Sequence, residues 1–358
     1  MNKSRSQYEI VSQETYRDID RLSYSSLKMY EENRKRFKSI YIDKDQEVIE
    51  KYKEDQAKND YIRMGNIVDV MLTDNDNFYN YFIESTSIKP TGQLLIFVDA
   101  LLKITKDESN DGVASTSFQD RCERAYDILK EWNGGKLRDG FDTVVNKFEK
   151  EGKGFYEESL KSIGKTVITP EEASLATSIL NNLKTSFNTK NIVNSEGLTK
   201  YPILFDLMDI PFKMEADKII FDHENKIIKP YDYKITSFIE NFIWDGFLKK
   251  RYYLQSCLYK WGIEQWKDSN EYKSYRVDNL CFVVADQTNY FAPLLYETAD
   301  KHYEQGWEGF KIGNKHYKGI VQIIEDIKFS KERDKWDMSA SNIRNNGKIL
   351  IPLFEDSN

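Results

Sequence analysis

The stretch from Pro202 to Ile235 constrains the fold more tightly than any other part of this chain. Three runs rich in β-branched and aromatic residues, Pro202–Leu207, Phe212–Phe221 and Lys226–Ile235, are separated only by short turns, around Asp209 and at Asp222-His223-Glu224-Asn225. Connections this short join antiparallel neighbours, because a parallel pair needs a crossover of about a dozen residues or more. An antiparallel meander is expected here, and its register decides where its charged residues lie. A long aromatic helix from about Ser237 to Trp266 follows, then two strands, Leu280–Ala285 and Tyr290–Tyr296, joined across Asp286-Gln287-Thr288-Asn289. The fold class is therefore α/β, a mixed central sheet with an antiparallel meander flanked by helices.

Ahead of the meander the pattern is helical. Ser23-Tyr24-Ser25-Ser26-Leu27-Lys28 opens a helix whose serines cap free backbone N–H groups, and Arg34-Lys35-Arg36 follows. A helix start beside basic residues seats a phosphate, although the same residues read on their own as a capped, solvated surface helix. A charged helix spans Lys44–Asn59, and Tyr61–Leu72 carries Asp69 inside an apolar helical pattern. Three helices near 92–105, 117–132 and 141–163 form a helical insertion over 85–165, and Thr169-Pro170-Glu171-Glu172 starts another that runs to about Ser186. One or two helices are expected between Ala299 and Asp326. The organisation expected is an N-terminal helical part of the core at 1–84, the insertion at 85–165, the rest of the core at 166–330, and a polar tail at 331–358.

Charge and cysteine usage remove several function classes. With 52 basic and 59 acidic side chains among 358 residues, the net charge is −7. That argues against a uniformly basic coat for nucleic acid, whose binding is driven by lysine and arginine displacing counterions, but leaves room for a local basic groove. Cys122, Cys257 and Cys281 are too widely spaced for a disulfide framework or a paired-cysteine zinc motif, and three cannot supply the four thiolates of an iron–sulfur cluster. His223, His302 and His316 are scattered and read as surface or turn residues. The sequence has no Gly-rich phosphate loop, so no nucleotide cofactor is expected, and no nucleophile elbow for Ser/His/Asp hydrolysis. The polar start at Met1–Ser6 lacks an apolar signal core, and runs such as Leu280–Ala285 are too short to span a bilayer, so a cytoplasmic protein without membrane association is expected.

The chemistry concentrates in the meander. Glu215 and Asp217 alternate on its second strand, Asp232 and Lys234 on its third, so each pair shares a face. All four share one face if paired residue numbers sum to an odd value, and a slip of one residue separates them. Carboxylates within about 8 Å on neighbouring strands can hold a hard cation such as Mg²⁺, which prefers oxygen ligands and keeps several waters. A lysine beside them is placed to position and deprotonate an attacking water and to stabilise charge on a phosphate. Asp-x-Lys alone is equally an ordinary ion pair on an exposed strand. On the following helix Arg251, Gln255 and Tyr259 recur four apart as a polar row among apolar residues. Such a row orients the carboxylates, binds a nucleic-acid backbone, or simply meets water at a helix edge.

In chain order, Gly65-Asn66-Ile67-Val68-Asp69, the isolated Asp217, Asp232-Tyr233-Lys234 and Gln255-x-x-x-Tyr259 resemble the motif series of the PD-(D/E)XK nuclease superfamily. Within it they resemble the RecB-type and RecE/lambda-exonuclease-like branch, which includes phage exodeoxyribonucleases. The serine-rich start at Leu22–Tyr30 resembles that branch's N-terminal helix. No single motif is specific; the four in order, across roughly residues 20 to 300, carry the resemblance. It implies a restriction-endonuclease-like core, Asp217 and Asp232 as catalytic metal ligands, Lys234 as the catalytic lysine, the Tyr233 carbonyl as a further ligand, and Gln255 and Tyr259 as a supporting pair. Two positions depart from the pattern. Asp69 stands where the branch usually has histidine and resembles the acidic residue that other members place there, which leaves metal preference open. Ile235 separates Lys234 from Thr236, where threonine commonly follows the lysine directly.

The resemblance leads to an expected Mg²⁺-dependent DNA exonuclease, with Mn²⁺ as substitute metal, acting at duplex ends in phage recombination or replication. It also implies a single-strand annealing protein as partner, a homo-oligomer, and the host cytoplasm if the chain is phage-encoded. Residues expected to support the site or line the DNA path are Glu215, Ser25, Ser26, Lys28, Arg34, Lys35, Arg36, Lys213, Lys249, Lys250 and Arg251. Two alternatives stand beside this reading. One is a nuclease fold without turnover that holds DNA ends or a partner, motivated by Asp69 and the acidic balance; the other is a restriction-like endonuclease.

Overall fold

The helices expected near 92–105, 117–132 and 141–163 form in the computed structural model as Gly92–Asn110, Phe118–Trp132, and a run from Phe141 to Lys161 that widens into π-helix at Phe148–Gly152. Ser117 starts the second of them, its hydroxyl accepting the Asp120 N–H at 3.1 Å while the Asp120 carboxylate accepts the Ser117 N–H at 3.1 Å. The apolar faces bury Phe97, Leu101, Leu129 and Phe148 in a core of their own. A short parallel pair, β1 (Phe82–Glu84) and β2 (Thr166–Ile168), belongs to the same compact unit, which spans Val70–Ser178. The structure describes residue 16 and residues 19–57, 59–85, 87–110, 116–135, 137–161, 165–268 and 270–348. The readings made at Met1–Ser6, in part of the Lys106–Thr116 run and at the end of the C-terminal tail lie outside these residues.

The second unit, Met1–Asp69 with Ile179–Asn358, holds the meander. Strands β3 (Leu198–Leu207), β4 (Ile210–Asp222) and β5 (Ile227–Thr236) pair antiparallel in succession. Met208 and Asp209 join the first two with left-handed backbone angles, φ 51° and 61°, as in a type I′ turn, whose twist suits a two-residue hairpin. Strand β5 is the pivot. It is antiparallel to β4 but parallel to β6 (Arg276–Val277) and to β7 (Cys281–Asp286), and β7 pairs antiparallel with β8 (Leu294–Glu297). The parallel return is spanned by the helix Tyr252–Asp268, as a crossover must be. All six residues of β7 are buried, and the core around the sheet includes Tyr30, Phe212, Leu254, Phe282 and Ile324.

Three elements differ from expectation. The long helix over 237–266 is interrupted: a π-helical turn at Ile243–Lys249 ends at Arg251, whose φ of 62° cannot continue a right-handed helix, and a new helix begins at Tyr252. The last strand starts at Leu294 instead of Tyr290, because the Asp286 carboxylate captures the N–H groups of Thr288, Tyr290 and Phe291 at 3.1, 2.9 and 3.2 Å and holds that segment as a loop. The C-terminal part carries helices Asp300–Glu308 and Ile320–Arg333 separated by a hairpin of β9 (Phe310–Ile312) and β10 (Lys315–Tyr317). Beyond Arg333, Trp336 is buried and stacks on Phe37 at 6.0 Å between ring centroids. Among the described residues no helix is long and apolar enough to cross a membrane.

Candidate functional site

The β3–β4 ladder, counted from Leu207 opposite Ile210, runs to Leu198 opposite Ile219 with one gap, at the level of Lys200 and Asp217. Lys200 has a φ of 48° there, a left-handed angle uncommon for a residue with a side chain. The alternation on β4 loses phase at the same level: Phe212, Met214 and Ala216 are buried at every second position, and then Asp217, Lys218 and Ile219 are buried in succession. The β4–β5 ladder, from Asp222 opposite Ile227, ends at Lys218 opposite Tyr231. Its parity is odd, as a shared face for the four charged residues requires, but it stops one pair short of Asp217 and Asp232. Side-chain bonds take over where the ladder stops.

The Asp217 carboxylate accepts the Tyr233 N–H at 2.8 Å with one oxygen and the Lys200 ammonium at 2.7 Å with the other. Lys200 reaches Asp69 Oδ2 as well, at 2.8 Å, and lies 4.0 Å from Glu215 Oε1. Asp232, 1% exposed, accepts Gln255 Nε2 at 2.6 Å on Oδ1, and its Oδ2 meets the Lys234 ammonium. Lys234 Nζ lies 4.8 Å from the centre of the Tyr252 ring. Tyr259 donates its hydroxyl to the Glu215 carbonyl at 3.0 Å, tying the 252–268 helix to β4. Asp69, Glu215, Asp217, Asp232, Lys234, Gln255 and Tyr259 thus occur together in two linked clusters, one centred on Lys200 and one on Asp232.

Burial dominates the electrostatics. It pushes the Asp232 carboxyl up, to about 7, against the pull of Lys234. It raises Asp69 too, opposed by Lys200. Asp217 is just as deeply placed, yet the Lys200 and Lys234 ammoniums and the Tyr233 N–H outweigh desolvation and hold it below the usual carboxylate range. Desolvation works against both lysines, and the carboxylates overcome it, so Lys200 and Lys234 are held above the usual lysine range.

Other expected residues serve the fold. Arg251, outside the helix that carries Gln255, sits 3.8 Å from Glu31 and donates to the Tyr253 hydroxyl at 3.4 Å. Arg34 (3.8 Å) and Lys318 (3.0 Å) join it around the same glutamate. Ser26 is buried, and its hydroxyl accepts the Ser23 N–H at 2.7 Å, while Ser25 is exposed. Lys28 pairs with Glu32 at 3.8 Å, and Lys213 donates to the carbonyls of Tyr16 and Ile19, each at 2.8 Å. Lys35 lines a surface cavity with Lys38, Lys335 and Trp336, and Arg36 covers the Tyr52 ring. Lys249 and Lys250 are exposed. Lys200 is the member that sequence reasoning missed. A signal existed: with Leu207 paired to Ile210 across a two-residue turn, counting seven residues back along each strand brings Lys200 opposite Asp217.

In kind, these donors suit a hard cation, being carboxylate oxygens that already surround a positive charge. In arrangement, among the described residues no three of His, Cys, Asp or Glu stand ready around a common ion, and the oxygens of Asp69 and Asp217 that converge do so on the Lys200 ammonium.

The chain is similar to a solved crystal structure from Eubacterium rectale described as "Putative exonuclease", at 10% sequence identity and a TM-score of 0.35, covering 64% of this chain and 83% of that one. No protein-family model and no curated protein matches the chain.

Proposed function

We propose that this protein is a divalent-metal-dependent deoxyribonuclease that works from duplex ends, on the resemblance's terms an exonuclease of phage recombination. The observation that supports the reading is Asp232, a buried carboxylate gripped by Gln255 on one oxygen and in contact with Lys234 on the other, one strand away from Asp217. A merely structural surface ion pair has no need of a buried glutamine to fix its rotamer. Asp69, Asp217 and Asp232, with the Tyr233 carbonyl, are the groups that would hold Mg²⁺ or Mn²⁺. A divalent cation there supplies Lewis-acid polarisation of a phosphate and lowers the pKa of a water. Lys234 places a fixed positive charge beside the phosphate, where negative charge grows in the transition state. Gln255 keeps Asp232 in one orientation, and Tyr259 keeps the helix that carries Gln255 against β4.

A second reading, a nuclease fold that binds DNA ends without cutting, is favoured by one observation: Lys200 already engages Asp69 and Asp217. One assay separates the two. Linear and closed circular duplex DNA are incubated with Mg²⁺ or Mn²⁺ and the wild type, Asp232→Asn or Lys234→Ala. An exonuclease removes linear DNA and spares circles, each variant loses about a hundredfold or more of the rate, and chelation stops the reaction. Equal behaviour of all three proteins, with DNA retarded but intact on a gel, sinks the enzymatic reading; discrete products from circles point to an endonuclease.

A further inference from the structure

We infer that Lys200 is the built-in counter-cation of the carboxylate cluster and that a divalent cation binds there by displacing its ammonium; the inference rests on the metal-dependent reading above. Its geometry is specific. The Nζ atom is bracketed by Asp69 Oδ2 at 2.8 Å, Asp217 Oδ1 at 2.7 Å and Glu215 Oε1 at 4.0 Å, groups contributed by the helix Asp60–Thr73 and by β4. Both Asp217 oxygens are engaged, one by Lys200 and the other by the Tyr233 N–H. An ion that takes Asp69 and Asp217 as ligands therefore needs the very oxygens that Lys200 occupies.

Charge supplies the reason for such a residue. Carboxylates packed together away from water repel one another, and without a cation they favour protonation or opening of the structure. Lys234 serves Asp232, and Lys200 does the same for Asp69 and Asp217. Asp69, Glu215, Asp217 and Asp232 against Lys200 and Lys234 still leave an excess of negative charge that attracts a divalent ion. The cluster thus draws a divalent ion while an internal competitor holds its affinity down. The lysine is set for the exchange by its backbone: at φ 48° it stands in the gap of the β3–β4 ladder, so its side chain, and not a regular ladder pair, makes the contact with Asp217.

The test uses the full-length protein and Mn²⁺ alone, without DNA. Titration calorimetry and the Mn²⁺ electron paramagnetic resonance signal measure affinity for the wild type, Lys200→Gln and Lys200→Arg. Removing the competing charge is expected to tighten Mn²⁺ binding about tenfold or more, while Lys200→Arg stays near the wild type. In parallel, the wild type is labelled with an amine-acetylating reagent and mapped by mass spectrometry. Lys200 is expected to be protected without metal and to react severalfold faster at saturating Mn²⁺. If the wild type binds Mn²⁺ but Lys200→Gln binds no tighter, or if Lys200 labelling is indifferent to Mn²⁺, the displacement idea is overturned and the metal-dependent reading survives. If neither wild type nor Lys200→Gln binds Mn²⁺, the metal-dependent reading falls and this inference with it. Should Lys200→Gln fail to fold, the labelling of the wild type decides.

Discussion

Asp222 closes the hairpin that carries the carboxylates, and its own titration exposes how much the turn depends on it. One oxygen accepts the Asn225 N–H at 3.0 Å and the Asn225 side-chain amide at 3.1 Å, and the other meets Lys229 at 3.1 Å. The Asn225 backbone N–H foremost, then its side chain and Lys229, lower the carboxyl to about 2 from an ordinary 3.8. Because the charged form is preferred in the folded chain, the contribution is complete above the ordinary value and disappears as pH falls through the depressed one. Asp222→Ala should therefore lower the urea midpoint at pH 6, and the gap to the wild type should close as pH falls from about 4 toward 2. A gap that stays constant down to the lowest pH at which both proteins fold would rule out the carboxylate as its source.

At the scale of elements, the helix Tyr252–Asp268 holds the site together, and two glycines set how closely it is packed. Gly262 faces the sheet, where an added Cβ would lie 2.6 Å from Met214 Sδ and 2.8 Å from the Phe205 ring. Gly306, on the helix Asp300–Glu308, would place a Cβ 2.6 Å from Cys257 Cβ and 2.9 Å from the Tyr253 carbonyl oxygen. The end of a methionine can move; the backbone of a helix cannot without moving the helix. Gly306→Ala is thus expected to cost about 1–3 kcal/mol, and Gly262→Ala less, since about 1 kcal/mol of helix propensity offsets its clash. Urea denaturation of the two variants checks the order. Gly306→Ala should also slow any nuclease activity, because Tyr253 and Cys257 flank Gln255. The meander was legible in the sequence because its turns, Met208-Asp209 and residues 223–226, are too short for any pairing but antiparallel. So was the start of the helix Pro170–Thr185, where Thr169 and Glu172 cap each other with strictly local bonds. The break at Arg251 was not, since apolar spacing continues across it and the left-handed residue is an arginine instead of the glycine that usually marks such a point. Nor was Lys200, whose partner Asp69 lies on a helix far away in sequence and whose contact with Asp217 follows only once the preceding turn is known to be two residues long.

Across the whole molecule, two separate cores imply two units of stability. One lies within Val70–Ser178 and includes Phe97, Leu101 and Phe148; the other surrounds the mixed sheet and includes Phe212, Leu258 and Phe282. The carboxylate–lysine clusters belong wholly to the sheet-bearing unit, so damage to the other core should spare the site. The six tryptophans offer a way to see this. Trp132 is in the helical unit, whereas Trp244, Trp261, Trp266, Trp307 and Trp336 are in the sheet-bearing one. Fluorescence thus follows chiefly the sheet, while far-ultraviolet circular dichroism follows both units. Leu101→Ala removes a fully buried side chain, a change that costs about 2–5 kcal/mol. It should shift part of the circular dichroism transition to lower urea and leave the fluorescence midpoint nearly in place. Phe212→Ala, in the other core, should move the fluorescence midpoint instead, by an equilibrium cost of about 3–5 kcal/mol. If both probes move together by the same amount in each variant, the two cores unfold as one cooperative system, and the helical unit then contributes to the stability of the sheet on which Asp217, Asp232 and Lys234 are carried.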